Sequence, residues 1–517
     1  MRTRPLCESS VEEATGAWGW GRNRVAAVSG RHQTDEVSSP PPVPLSAFWR
    51  DLPRPGKWLL STVIVDFVGN GLVLPFSVVY LHEVRGFPLD RVGLLLAIPA
   101  VVGLIVVGPV GIVIDRIGAR SVVVASLVGQ IAAQVVLASA VTPVHAAAAM
   151  VLLGLSGGVG WPAINALIAV VVPSHQRQRY FGVNFTLLNL GIGVGGVLGG
   201  LFVDVHRPGS FVAIYLLDAA TYLAPLAILL GPLRRVSGRV DRPALRVRPG
   251  APAVGTDAPG AGAAYGPADG AAGGAADGAA ADSGTGGGTT YLTLLRDRSV
   301  ASVLLLTFVA SFIGYGQLST GLPAFGRGQA QISTQVLGWA FAANTLVIVG
   351  LQLPVLQRIE GRRRTRLLVV MSAIWAVAFL ALGASGLAPG SLLGALLFGA
   401  CLAVFGLGET LYQPTAPAMV NDLAPDHLRG RYNALMSIAW QLASVVGPPV
   451  AGLLIGRGWG SAYVAMLVTG CALVAVLALG VERRVPPFVN GLRAPPPVLP
   501  ELPVPSGAEG PGRPGPR

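Results

Sequence analysis

Long apolar runs dominate the order of apolar and polar positions along this 517-residue chain. Each run holds roughly 20 residues, enough to cross the ~30 Å hydrocarbon core of a bilayer as a helix. The pattern predicts twelve membrane helices, six on either side of an interruption. In chain order they are predicted at 57–81, 91–113, 119–141, 145–172, 180–203, 209–232, 299–325, 335–356, 366–387, 391–420, 432–456 and 460–481.

Three polar regions divide the chain. The central one is basic at first and then rich in Gly and Ala, a composition that cannot bury a core and is typical of a flexible tether. The predicted organisation is therefore a largely disordered leader (1–56), a six-helix bundle (57–232), a linker (233–298), a second six-helix bundle (299–484) and a disordered Pro/Gly-rich tail (485–517).

The two six-helix halves are repeats of one another. Residues 162–200 align without a gap on 414–452, at a constant offset of 252. At an offset of 245, "DFVGNG" (66–71) aligns with "SFIGYG" (311–316), so both first helices carry an F-x-G-x-G frame. Parallel repeats of this kind indicate a transporter with its substrate site between the halves, near the bilayer midplane.

Composition supports the membrane interpretation. Only 12% of residues are charged, against about 25% in soluble domains. The chain is basic, with 37 Lys and Arg against 25 Asp and Glu, but the arginines concentrate in loops on one side of the predicted membrane. That asymmetry predicts cytoplasmic termini and linker in a multi-pass protein of the cell (plasma) membrane, and it argues against nucleic acid as a partner.

No pattern of catalytic or metal-binding residues stands out in the sequence. The three cysteines form no disulfide framework, and the six histidines have no metal-ligand spacing. The chain also lacks the G-x-x-x-x-G-K-[ST] phosphate loop of ATP-driven pumps. We therefore expect a protein that is not an enzyme and binds no metal or cofactor. We also expect it to act as a monomer.

Three acidic residues lie inside the predicted membrane helices: Asp66, Asp218 and Glu409. An ionisable group costs about 2.5–3.5 kcal/mol at the centre of a membrane helix and is a functional candidate by default. Asp66 lies nine residues beyond Lys57, or about 14 Å along a helix, which places it near mid-depth.

Other polar side chains share helical faces with these acids or form similar stripes. On helix 1, Asp66 shares a face with Asn70. The corresponding groups elsewhere are Trp161 and Asn165 on helix 4, Ser311, Tyr315 and Ser319 on helix 7, and Glu409, Tyr412 and Gln413 on helix 10.

The loop between helices 2 and 3 reads "GPVGIVIDRIGAR" (108–120). It resembles the signature of the major facilitator superfamily, G-x-x-x-D-R/K-x-G-R/K-R/K, with Ala119 departing at the first closing basic position. The matching residues are Gly111, Asp115, Arg116, Gly118 and Arg120. Over 57–481 the resemblance implies the major facilitator fold, an all-α polytopic membrane protein of twelve helices in two pseudo-symmetric six-helix bundles.

This loop has two interpretations. Asp115 ends helix 2 beside arginines and can pair with groups across the interface between the halves, holding one access state and releasing in the other. The alternative is a plain basic anchor at the cytoplasmic face.

Helix 5 carries a second motif, "GIGVGGVLGG" (191–200). It resembles the family's antiporter motif, G-x-x-x-G-P-x-x-G-G, and together with the acid in helix 1 it is similar to the drug:proton antiporters. Gly195, Gly199 and Gly200 match, whereas Gly196 stands where proline is usual. Tight helix packing is an equal alternative to a mechanistic role.

In the superfamily fold, helices 1, 4, 7 and 10 line a central cavity. The resemblance therefore places one set of candidate proton-coupling and substrate residues around a single space: Asp66, Asn70, Trp161, Asn165, Tyr315, Glu409, Tyr412 and Gln413. Structural alternatives remain: Asp66 bonding nearby helices, Glu409 held by a fixed partner, and Asp218 structural because helix 6 packs at the side of the bundle.

The leading functional hypothesis is proton-coupled efflux, by antiport, of small hydrophobic or cationic compounds. Asp66 would bind a proton from outside and the substrate from inside in competition, with Glu409 as second candidate. The alternative is a proton symporter or uniporter for a polar metabolite such as a sugar. A non-transporting receptor is disfavoured, since the loop and glycine motifs make little sense without alternating access.

Overall fold

The computed structural model describes residues 45–236, 291–425 and 428–492. Most of the predicted leader, linker and tail lies outside the described residues. Within the described ranges the regular elements are all helices, and twelve of them are long and apolar enough to cross a membrane. The predicted all-α class and its twelve helices are therefore confirmed.

These helices are numbered 1 to 12 in chain order. Their bounds are Arg54–Val84, Leu89–Ile117, Ala119–Ala138, Pro143–Val171, Ser174–Phe202, Pro208–Leu230, Arg298–Leu318, Thr334–Ile359, Arg364–Gly386, Leu392–Leu423, Arg429–Gly456 and Gly460–Glu482. Short helices at Leu45–Asp51, Tyr291–Arg296 and Gly321–Gly328 accompany them.

Three helices that the sequence predicts as continuous are irregular. Helix 1 tightens into a 3-10 turn over Leu74–Phe76, because Pro75 has no N–H to donate to the helical ladder. Helix 6 is interrupted at Tyr222, just before Pro225, for the same reason. Helix 7 breaks at Gly314, where the ring of Trp375 occupies the space of a Cβ.

A single residue makes the turn between helices 2 and 3. Gly118 has φ 89° and ψ 143°, a left-handed conformation that glycine adopts without steric cost. The turn between helices 8 and 9 contains Gly361, with φ 72°. We call the end of the bundle where these turns lie the Arg120 end and the opposite one the Glu83 end.

Repeat-related glycines hold the helices of each half together. In the first half, a Cβ on Gly71 of helix 1 would collide with the backbone of Ile192 in helix 5. In the second half, a Cβ on Gly316 of helix 7 would collide with the carbonyl of Ala443 in helix 11. The second glycine of each F-x-G-x-G frame therefore allows two helix backbones to approach closely.

The two halves meet along helices 2 and 11 and along helices 5 and 8. Gly93 of helix 2 lies against the carbonyl of Pro448 in helix 11, and Gly338 of helix 8 lies against the carbonyl of Gly196 in helix 5. Gly93 and Gly338 are separated by 245 residues, and Gly196 and Pro448 by 252, the two repeat offsets. The same type of backbone contact therefore occurs on both sides of the interface, and the two contacts close it toward the Glu83 end.

An ion pair joins the halves at the Glu83 end. Arg327, in the short helix after helix 7, donates from Nε to Glu83 Oε1 at 2.8 Å and from Nη2 to Oε2 at 2.5 Å. Both side chains are about one-fifth exposed, at 19% and 23%. Nearby, the Thr334 hydroxyl donates to the Val203 carbonyl at 3.2 Å. Bidentate, partly buried pairs are the stronger class of ion pair.

The first testable consequence concerns the helix 1–helix 5 contact. Gly195→Ala places a methyl group against the Val68 carbonyl, and we expect a loss of about 1–3 kcal/mol in stability from this overpacking. Gly182→Ala, on the same helix with open space around it, is the matched control and should be neutral or stabilising. Thermal unfolding of the purified protein in detergent measures both, and equal midpoints would contradict the packing role.

The second concerns the Glu83–Arg327 pair. Glu83→Gln should destabilise the conformation in which the Glu83 end is closed by about 1.5–3 kcal/mol, because Arg327 keeps its charge and loses its charged partner. Spin labels at Val141 and Leu387, exposed on the two halves at that end, should then show a larger population of long distances by pulsed electron resonance.

The control for this measurement is Glu360→Gln, an exposed acid at the Arg120 end. The charge-swapped double variant, Glu83→Arg with Arg327→Glu, should restore the short distances. Distance distributions for Glu83→Gln that match those of Glu360→Gln would show that the pair does not hold this end closed.

Candidate transport cavity

A cavity of about 170 Å³ lies inside the first half, toward the Arg120 end. We call it the Asp66 cavity. It is bounded by helices 1, 3, 4, 5 and 6, and four of the predicted site residues line it: Asp66, Asn70, Trp161 and Asn165. Asn184 of helix 5 also lines it.

Asp66 reaches this cavity because it lies on the regular part of helix 1, on the face that lines the cavity. Its side chain is half-buried. No described residue forms a hydrogen bond or ion pair with its carboxyl group. The alternative in which Asp66 bonds neighbouring helices therefore has no contact to support it in the described parts of the chain. A carboxyl in such a place needs a proton or a cation to avoid the cost of an unpaired charge.

A second cavity, of about 160 Å³, lies between the halves. We call it the central cavity. Its polar lining comes from both halves: Asn70, Ser77, Gln130, Gln134 and Asp218 on one side, and Tyr315, Ser319, Gln441 and Ser444 on the other. The two cavities adjoin, since Asn70, Gln130, Gly157 and Tyr222 line both.

The charge of the two cavities is one-sided. Among the described residues that line them, the carboxyl groups are those of Asp66 and Asp218, and none is Arg, Lys or His. Aromatic surface accompanies the acids, with Trp161 in the Asp66 cavity and Tyr315 in the central one. Such a lining can hold a cation through charge and ring contacts.

Glu409 occupies a different environment. It is 4% exposed, and the amide of Asn344 donates to its Oε2 at 2.7 Å. The Tyr315 hydroxyl also bonds the carboxyl, while Gln413 Nε2 donates to that hydroxyl at 2.6 Å. Glu409 thus has the fixed partners that one interpretation of the sequence foresaw. Its carboxyl is linked to the central cavity through Tyr315.

In this conformation the residues predicted to surround one space line separate spaces, and their joint role in transport stays a prediction. Glu409 and Gln413 line a small separate cleft with Asn189 of helix 5. Tyr412 is 3% exposed, packs on the rings of Tyr315 and Trp375, and places its hydroxyl 3.1 Å from that of Ser311.

The physical reason for this division is aromatic packing. The ring of Tyr315 also meets that of Trp440, with centroids 5.2 Å apart, so side chains fill the space between helices 7, 10 and 11.

Sequence reasoning missed part of the central cavity. Gln130 and Gln134 of helix 3 line it, as does Asp218 of helix 6, which was assigned a structural role. A signal was available, because the two glutamines are four residues apart in an otherwise apolar run and must share a face. The resemblance directed attention to helices 1, 4, 7 and 10 instead.

The signature loop lies at the Arg120 end. Gly111 is half-buried on the last turns of helix 2, and Asp115 and Arg116 are exposed. Arg120 donates from Nε to the Leu229 carbonyl at 2.9 Å, which ties the start of helix 3 to the end of helix 6. No ion pair involves Asp115 among the described side chains, so its pairing across the halves remains a prediction for another access state.

The helix 5 glycines divide between two neighbours. Gly195 and Gly199 lie against helix 1, at Val68 and Phe76. Gly196 and Gly200 face helix 8 across the interface between the halves. The motif therefore lets helix 5 pack against helix 1 of its own half and against helix 8 of the other half at the same level along helix 5.

Comparison with known proteins extends this geometry. A family model described as Major Facilitator Superfamily matches residues 59–404 and 329–506. YhjO of Bacillus subtilis (strain 168), an uncharacterized MFS-type transporter, is 25% identical over 405 residues, which cover 78% of this chain and 87% of that protein. Tetracycline resistance protein, class C, of Escherichia coli is 32% identical over 166 residues, covering 31% of this chain and 41% of that protein.

Solved structures share the fold. The crystal structure of a D-xylose-proton symporter superposes with a TM-score of 0.59, at 14% identity, over 84% of this chain and 98% of that one. The family model covers most of the chain and agrees with its twelve helices. The protein therefore belongs to the major facilitator superfamily, as a multi-pass membrane transporter of small molecules and not an enzyme.

Proposed function

We propose that this transporter exports small hydrophobic or cationic compounds in exchange for protons, by alternating access. The observation that carries the proposal is Asp66, a carboxyl without a described partner. It lies in a cavity that has an aromatic wall and, among the described residues that line it, no basic one. A proton and an organic cation would each neutralise this carboxyl, and they would compete for it.

The conformation fits the loading step of such an exporter. The arginine pattern predicts that the Arg120 end faces the cytoplasm. With that orientation, the ion pair of Glu83 and Arg327 and the glycine contacts close the outer side, and the Asp66 cavity extends toward the inner side. A substrate would enter from the cytoplasm or the inner leaflet, as efflux requires.

Competition at Asp66 follows from elementary electrostatics. A bound cation stabilises the ionised carboxylate, because two unit charges 4 Å apart attract by about 4 kcal/mol at an effective dielectric constant of 20. Protonation removes that attraction and releases the cation. The ring of Trp161 would contribute about 0.5–2 kcal/mol through cation–π contact.

Glu409 is the second coupling candidate. Its carboxyl already accepts hydrogen bonds from Asn344 and Tyr315, so in this structure it is engaged within the protein and not open to a substrate cation. We therefore assign the substrate cation to Asp66. Glu409 would act in the second half, where a change in its protonation would alter its hydrogen bond with Tyr315, a residue that lines the central cavity.

The comparisons support this class of function in part. The Escherichia coli relative is named as a tetracycline resistance protein, and the matched segment covers 41% of its length. Drug efflux by this chain is therefore an inference from its cavity chemistry, to which a partial relative adds weight.

A second candidate is uptake of a polar metabolite such as a sugar, by proton symport or uniport. The central cavity favours it through side chains that hydrogen-bond hydroxyls, among them Asn70, Gln130 and Gln441. The likeness to the D-xylose-proton symporter concerns the fold alone. Sugar uptake and lipophilic-cation export are separable by radiolabelled xylose and tetraphenylphosphonium in the same vesicles.

The decisive variant is Asp66→Asn, which keeps the side-chain shape and removes the charge. In inverted membrane vesicles with an imposed pH gradient, the wild type should accumulate tetraphenylphosphonium, and the variant should accumulate at least about tenfold less, the equivalent of losing 1.4 kcal/mol of coupling. Asp90→Asn, an exposed acid at the start of helix 2, is the control for expression and general charge effects. Full accumulation by Asp66→Asn would sink the proposal.

A further inference from the structure

Asp218 is a buried carboxyl that takes no part in the proposed exchange of proton and substrate at Asp66. It lies on helix 6 with none of its surface exposed, and it borders the central cavity. The amide nitrogen of Gln134 on helix 3 donates to its Oδ2 at 2.5 Å. Helix 1 contributes Gly69, where a Cβ would collide with Asp218 and with the Thr221 hydroxyl. Three helices thus shape the space around one carboxyl group.

Gln134 is a partner suited to both protonation states. A glutamine side chain offers two N–H donors and a carbonyl acceptor, so it can donate to a carboxylate or, after rotation by 180°, accept from a carboxylic acid. The Gln134 side chain is 5% exposed, and its carbonyl oxygen has no hydrogen-bond partner among the described residues. An acceptor is therefore buried and available beside the carboxyl at the wall of the central cavity.

Other titratable groups lie on the helices around Asp218. The helices that pack against helix 6 are helices 1 and 3. Helix 1 carries Asp66 and Tyr80, with Arg85 just beyond its end, and helix 6 itself adds Tyr215, which interacts electrostatically with Asp218, Tyr80 and Arg85. Arg85 is engaged with the Tyr80 hydroxyl, at 2.9 Å from Nε and 2.6 Å from Nη2. The ring of Tyr215 packs on that of Tyr80, with centroids 4.9 Å apart.

We propose that Asp218 is a second proton site of the transport cycle, separate from the substrate carboxyl Asp66, with Gln134 as its positioning residue. This inference rests on the proposed proton-coupled exchange. One carboxylate oxygen binds a proton taken from water at the outer side, and the same proton is later released to water at the cytoplasmic side, with no other bond made or broken. The adjoining cavities let the two carboxyls act within one access pathway.

The test is infrared titration of the full-length protein reconstituted in lipid. The wild type should show a carboxylic-acid C=O band that changes with pH and is absent from Asp218→Asn but present in Asp66→Asn and Asp90→Asn. Gln134→Leu should keep the band and move it to higher wavenumber, since the acid loses its hydrogen-bond acceptor. A spectrum of Asp218→Asn that retains every pH-dependent acid band of the wild type would overturn the proposal.

A flux measurement connects this site to transport and separates it from Asp66. Proton and tetraphenylphosphonium fluxes in the same proteoliposomes should give one proton fewer per cation for Asp218→Asn than for the wild type, and Asp218→Glu should restore the ratio. An unchanged ratio would refute the coupling role of Asp218. If Asp66→Asn also transports normally, the proposed function itself fails, whereas the infrared band of Asp218 is unaffected by that failure.

Discussion

Close approach of helix backbones at glycine positions is the constraint on which this architecture depends. Gly71 and Gly316 allow the first helix of each half to meet the fifth, and Gly93 and Gly338 allow the two halves to meet. In lipid there is little hydrophobic drive between helices, so such packing supplies much of their association. Because the contacts are repeat-related, the two halves are built alike. The polar groups between them then determine what is carried.

The three acids inside the membrane helices have three environments, and their roles follow from these. Asp66 has no described partner and faces the cavity of the first half. Asp218 accepts a hydrogen bond from the Gln134 amide, a group that can serve either protonation state. Glu409 is held by Asn344 and Tyr315 within the second half. A group that must bind and release a cation needs a free carboxyl, whereas a group that only exchanges a proton can keep a neutral partner.

The sequence predicts the number of helices, the repeat and most helix ends, because bilayer thickness and apolar run length are tightly linked. It also places Asp66 and Trp161 on faces that share a cavity. It does not locate the breaks at Tyr222 and Gly314, and it does not show which helices pack together. For that reason Asp218 was assigned to a lateral, structural position. The division of the predicted single space likewise depends on rings such as Tyr315 and Trp440, whose packing no linear pattern specifies.

The central claim is that one carboxyl, Asp66, binds either a proton or the substrate cation. Proton release on substrate binding tests it most directly. Purified protein in weakly buffered detergent solution should acidify the medium when tetraphenylphosphonium is added, and Asp66→Asn should not, whereas Asp90→Asn should behave as the wild type. Cation binding by the wild type with no release of protons, or equal release from Asp66→Asn, would contradict it.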